Sequence, residues 1–232
     1  LAAAITVSLM TYLKLPVSTS QAVVGAIIGS GIVRNTVNFS PLFKIFTAWI
    51  FTPIGALIIS IIFMNIYSKF IEKHVNDVVK LDKLITIGLI IAGIYGSYAL
   101  GANNVANVTG VYVKTGFISP FQGALFGGIA IASGVLTYSR NVMMTVGKRI
   151  TELTSLNALI AVLAESTTVY IYAQIGIPVS TSQAIVGAII GIGLVKGVNL
   201  INKKTLKNIF FGWLGTPTIA LIISFIITNF VK

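Results

Sequence analysis

One fourteen-residue string occurs twice, and it constrains the fold more than any other feature of the chain. Pro16-Val17-Ser18-Thr19-Ser20-Gln21-Ala22-Val23-Val24-Gly25-Ala26-Ile27-Ile28-Gly29 returns as Pro178 to Gly191, with Val23 replaced by Ile185, at an offset of 162 residues (178 − 16). Self-similarity at so long a spacing means two copies of a whole structural unit, not a short solenoid repeat. The copies agree further on: Trp49-x-x-Thr52-Pro53 matches Trp213-x-x-Thr216-Pro217, and Ala56 to Ser60 matches Ala220 to Ser224. Copy two begins at Leu84, which maps to −78 (84 − 162). An intact first copy is therefore expected to extend on the order of 80 residues ahead of Leu1, with a first asparagine motif near −61.

The setting of the repeat is apolar. Of 232 residues 56% are hydrophobic and only 9% charged, with a mean hydropathy of +0.96, which points to an all-α, polytopic membrane protein. The net charge of +11 is spread between apolar runs, so it reads as topology signal and lipid-headgroup contact, with no role for nucleic acid. The absence of cysteine excludes disulfides, thiolate metal sites and cysteine nucleophiles. His74 lies in a Lys/Glu/Asp-rich loop and reads as solvated. An enzyme is not expected, because the chain has no cysteine, no histidine inside a span and a single acid inside one.

Residues 1–67 read as the C-terminal part of a first repeat, 68–83 as a hydrophilic linker, and 84–232 as a complete second repeat. Leu42 to Tyr67 can cross a bilayer, with Pro53 in its middle, whereas Leu1 to Leu13 is too short to span alone. The loop from Arg34 to Lys44 carries two basic residues, the linker four, residues 140–149 three and residues 196–207 four. Placing the three richer loops in the cytoplasm gives copy two five crossings, an odd number. The two copies then have inverted topology, the architecture of secondary transporters whose site is built by discontinuous or re-entrant helices at the midplane.

The repeated string has the chemistry for such a site. Proline suits the first turn of a helix, and Ser18, Thr19, Ser20 and Gln21, like Ser180, Thr181, Ser182 and Gln183, bring hydroxyls and amides to a positive helix start. The glycines that follow have the small-xxx-small spacing by which membrane helices approach closely. Glu165 is the one acid inside an apolar span, where an ionisable group is functional by default. With Ser166, Thr167 and Thr168 after it, it suits a hard cation such as Na⁺, or else carries a coupling proton. Asn103, Asn104 and Asn107 form either a plain turn between spans or a cluster whose oxygens coordinate Na⁺ and whose amide N–H groups donate to an anion.

Gly101-Ala102-Asn103-Asn104-Val105-Ala106-Asn107 resembles the Gly-Ala-Asn-Asp-Val-Ala-Asn signature of the inorganic phosphate transporter family, and the doubled Pro-Val-Ser-Thr-Ser-Gln resembles its Pro-Val-Ser-Thr-Thr-His. Ala164-Glu165 and Thr145-Val146-Gly147-Lys148-Arg149-Ile150 also fit the pattern. The resemblance implies a multi-pass protein of the cell membrane that takes up inorganic phosphate by symport with Na⁺ or H⁺, with no other cofactor. It makes Ser18, Thr19, Ser20, Gln21, Ser180, Thr181, Ser182, Gln183, Asn103 and Asn104 candidates for substrate binding, and Asn103, Asn107, Glu165 and Thr168 candidates for Na⁺. Two departures, Asn104 for the family aspartate and Gln21 and Gln183 for the family histidine, leave the coupling ion open and leave room for another oxyanion such as sulfate. A passive anion channel is the rival reading, and a homodimer is a further expectation.

Overall fold

A computed structural model describes residues 1–13, 17–75, 77–149, 154–197 and 203–231; Pro16 and Ile150, which end two of the motifs above, lie outside the described residues, as does part of the basic loop after Lys196. Those described residues form helices joined by short turns, with no strand among them: α1 Ala2–Tyr12, α2 Thr19–Arg34, α3 Ser40–Tyr67, α4 Val78–Leu100, α5 Ala106–Lys114, α6 Pro120–Arg149, α7 Ser155–Ile175, α8 Thr181–Lys196 and α9 Lys203–Phe230. Among the described residues, five stretches are long and apolar enough to cross a membrane: Ser40–Glu72, Val78–Lys114, Pro120–Arg140, Ser155–Ile175 and Leu206–Phe230. At 16 residues each, α2 and α8 reach about 24 Å, short of the ~30 Å of a hydrocarbon core.

Local chemistry accounts for the helix ends. Asp77 caps α4 by accepting from the N–H groups of Val79 and Lys80, so residues 78–83 of the expected linker belong to that helix and the 83/84 boundary falls inside it. The preceding span closes in a single π turn over Ser68–Glu72. Gly176, at φ 75°, ends α7: its N–H reaches the Ala173 carbonyl and that of Ile177 the Tyr172 carbonyl, a Schellman closure that needs a residue free to adopt positive φ.

The asparagine motif is not a plain turn between spans, one of its two readings. Gly101–Val105 is one π turn between α4 and α5, and the helical run continues through it from Val78 to Lys114. A π turn keeps the backbone hydrogen-bonded in an apolar setting while re-aiming its side chains, which an open turn there could not do.

The repeats interlock reciprocally. The signature helix of each copy packs on the proline-containing helix of the other, α2 on α9 and α8 on α3. A Cβ on Gly25 would overlap the backbone of Pro217, and one on Gly29 that of Leu221; on Gly187 it would meet Pro53, and on Gly191 Leu57 and Ser60. Both pairs therefore advance in the same direction, α2 parallel to α9 and α8 parallel to α3. Five residues, 35–39, separate α2 from α3. A chain that doubles back there sets α2 and α8 pointing in opposite directions, the arrangement of an inverted repeat. Equivalent local bonds recur: Thr6 Oγ1 donates to the Ala2 carbonyl at 2.9 Å, and Thr168 Oγ1 to the Ala164 carbonyl at 2.7 Å.

The core lies around α8. Ala184, Val186, Ala188, Ile189 and Ile192 of that helix are buried with Ile160, Ala161, Ala164 and Val169 of α7 and Ala56 and Met64 of α3. A helix buried on nearly every face is what an apolar sequence without a polar side demands. Outward faces of α4 and α6 instead expose Ile87, Ile90, Ile94, Phe126 and Ile129, as lipid-facing surface does.

Candidate functional site

The two signature helices begin alike. Ser18 and Ser180 are extended and cap α2 and α8, their hydroxyls accepting from the N–H groups of Gln21 and Gln183 at 3.2 Å each. The expected role of Pro16 at this start lies outside the described residues. These two starts meet: Ser20 Oγ, in the first turn of α2, donates to the Val179 carbonyl just ahead of α8 at 2.7 Å. Two helix N-termini pointing at one region concentrate free N–H donors and positive partial charge there, which favours an anion.

The asparagines of the π turn tie that junction together. Asn103 is buried and holds Val179 by both backbone groups, its Nδ2 donating to the Val179 carbonyl (2.9 Å) and its Oδ1 accepting from the Val179 N–H (3.3 Å). Its Nδ2 also reaches Asn104 Oδ1 at 3.3 Å. Asn107 Nδ2 donates to Ser20 Oγ at 2.8 Å, so the motif of copy two bridges to the signature of copy one. Beside them lies a cavity of about 120 Å³, lined on one side by Ala102, Asn103, Ala106 and Asn107 and on the other by Ala173, Gly176, Ile177 and Pro178. Small side chains leave the room, and the asparagines supply its polar wall.

Other candidates fall into place unevenly. Thr19, Thr181 and Ser182 are half-buried, and Ser182 Oγ pairs with Ser180 Oγ at 2.9 Å instead of reaching across as Ser20 does. Gln21 and Gln183 are buried. Glu165 sits mid-way along α7, half-buried, with Oε2 accepting from Ser166 Oγ at 3.2 Å. Thr168 is buried, its hydroxyl donating to the Ala164 carbonyl and its methyl near Gly55 of α3. Ala173, which lines the cavity, comes eight positions after Glu165, about 12 Å further along the axis. Thus Asn103 and Asn107 join the signature starts, while Glu165 and Thr168 lie further along α7 from the cavity.

Sequence reasoning missed two participants. Trp49 Nε1 donates to the Pro178 carbonyl at 3.0 Å and so holds the segment leading into α8. Its recurrence as Trp213 was the signal, although a tryptophan shared by two repeats is as easily a packing residue. The backbone of Val179, which receives Ser20 and Asn103, carries no signal in its side chain at all.

Comparison with known proteins agrees with this architecture. The "Putative phosphate permease MJ0630" of Methanocaldococcus jannaschii is 35% identical over 228 residues, covering 98% of this chain and 73% of that protein. The "Sulfate permease CysP" of Bacillus subtilis is 31% identical over 229 residues, covering 98% of this chain and 64% of that protein. A solved structure described as "The sodium-dependent phosphate transporter" superposes with a TM-score of 0.88 at 24% identity, over all of this chain and 77% of the other, which establishes a shared fold. The sequence profile of the phosphate transporter family matches residues 1–224. Interlocked helical repeats, spans that cross a membrane and a match over nearly its whole length lead to one assignment: this chain is a multi-pass membrane protein of the phosphate transporter family, a transporter and not an enzyme.

Proposed function

We propose that this protein is a secondary active transporter that takes up inorganic phosphate by symport with a cation. The observation that carries this reading is the meeting of the α2 and α8 N-termini, bridged by Ser20, Asn103 and Asn107 beside a cavity that the two asparagines line. That arrangement draws on both repeats, so rocking one against the other exposes the same groups to either side of the membrane in turn. Ser18, Thr19, Ser20, Gln21, Ser180, Thr181, Ser182, Gln183, Asn103 and Asn104 are the substrate-binding set in this reading. Asn103, Asn107, Glu165 and Thr168 are its cation set, and a change of conformation is needed to bring the last two toward the asparagines.

Na⁺ is the favoured coupling ion. The hydroxyls of Ser166 and Thr167 next to Glu165 offer oxygens that a hard cation uses and a proton site does not need. Reconstitution in liposomes with Na⁺ and pH gradients imposed separately tests the proposal. Saturable phosphate uptake driven by inward Na⁺ is the expected result. Uptake driven by a proton gradient alone would assign the coupling to H⁺, and non-saturable flux indifferent to both gradients would mark a channel and overturn the reading.

A further inference from the structure

Three helices of this chain begin with a serine followed three residues later by a glutamine, and two of them depart from the ordinary pattern. At the start of α6, the Gln122 N–H donates to Ser119 Oγ (3.2 Å) and the Ser119 N–H donates to Gln122 Oε1 (2.9 Å). This reciprocal box is the usual employment of a glutamine at that position. At α2 and α8 only the first half forms: Ser18 and Ser180 accept from Gln21 and Gln183, but Gln21 Oε1 and Gln183 Oε1 have no hydrogen-bond partner among the described residues. Gln122 is exposed, so water would serve its oxygen anyway; Gln21 and Gln183 are 2% and 6% exposed. Native structures leave few buried acceptors unpaired, and an unseen ligand is one of the standard reasons. Here the same atom is orphaned at both equivalent positions, in the first turns of the two helices whose starts meet.

The other groups at that junction are already paired with one another: Ser20 and Asn103 donate to the Val179 carbonyl, Asn103 Oδ1 accepts from the Val179 N–H, and Asn107 donates to Ser20, which leaves the two glutamine oxygens as its unpaired acceptors among the described residues. A fully deprotonated oxyanion needs only donors and would set its lone pairs against the two glutamine oxygens. An oxyanion with its own O–H groups satisfies them. Resting on the transport reading above, we propose that Gln21 and Gln183 determine specificity by accepting hydrogen bonds from protonated oxygens of the bound anion. The site then takes protonated phosphate, with the two O–H groups of the monoanion matching the two acceptors, and rejects sulfate, which carries no proton at neutral pH. Such discrimination is steep, because the wrong ligand leaves buried polar atoms unpaired.

Equilibrium binding of radiolabelled phosphate to the purified protein, competed with unlabelled oxyanions, tests this without any variant. Arsenate, protonated as phosphate is, should compete; sulfate and selenate, of similar shape but unprotonated, should bind at least about 100-fold more weakly than phosphate. Gln21→Leu and Gln183→Leu should each narrow the phosphate-to-sulfate ratio about ten-fold. Sulfate competing on equal terms in the wild type overturns the proposal and leaves an oxyanion transporter standing, its two amides presenting their N–H₂ groups instead. Neither binding nor liposome uptake of any of these anions overturns the transport reading and this inference with it.

Discussion

The indole N–H of Trp49 donates to the Pro178 carbonyl, whereas that of Trp213, its counterpart in the other copy, is buried without a partner among the described residues. Equal residues in unequal surroundings give opposite expectations. Trp49→Phe should lower stability by about 1 kcal/mol and weaken phosphate binding, because the segment ahead of α8 loses its anchor. Trp213→Phe removes a donor that has nothing to bond and should leave the unfolding midpoint unchanged or raised. Thermal unfolding in detergent distinguishes them, and equal losses would count against the asymmetry. Glu165 is the second residue-scale case. It occupies the position of Ala3 in the other copy, so its charge has no structural counterpart to preserve. Glu165→Gln should leave the expressed protein folded while shifting the Na⁺ dependence of phosphate uptake to higher concentration. If the residue carries a proton, the same variant flattens the pH dependence and leaves the Na⁺ response alone; uptake equal to wild type in both titrations removes Glu165 from coupling.

At the scale of elements, the small-residue spacing in the signature was legible because close approach leaves no room for a side chain. What it approached was not. Gly187 faces the Pro53 backbone and Gly25 faces Pro217, both in the opposite repeat, and a Cβ at either would overlap a carbonyl that cannot rotate away. Gly187→Ala should therefore force α8 off α3 and be destabilising by about 1–3 kcal/mol or more. Gly93→Ala is the control: nothing lies within 4 Å of that Cβ, and alanine is the better helix former, so folding yield should hold or improve. Equal tolerance at the two sites, measured by fluorescence-detected size exclusion, would mean that the interlock is loose. The π turn at Gly101–Val105 was hidden for a different reason. An Asn/Gly cluster has the composition of a turn, and only the need to satisfy the backbone inside an apolar layer converts it to a helical bulge.

For the whole molecule, parallel packing of α2 on α9 and of α8 on α3, with a reversal of the chain at 35–39, matches the opposite orientations that the distribution of basic loops predicts for the two repeats. The chain lacks cysteine, so single cysteines can report sidedness without background. Asn38→Cys, exposed between α2 and α3, and Lys73→Cys, exposed after α3, should label with an impermeant maleimide from opposite faces of the membrane. Labelling of both from one face would place an even number of crossings between them and remove the inversion.

The amino-acid sequence by itself determined the membrane class, the repeat and the identity of most polar groups at the candidate site, because these depend on composition and on spacing along one chain. Offset 162 and the charge of the loops needed no coordinates. Tertiary structure decided which groups meet: that Ser20 reaches Val179 and Ser182 does not reach across, that Asn107 bridges the repeats, and that Glu165 stands apart from the asparagines. Those outcomes depend on how two inverted copies settle against each other. Symmetry in the sequence permits the Ser20–Val179 contact twice, and packing realises it once.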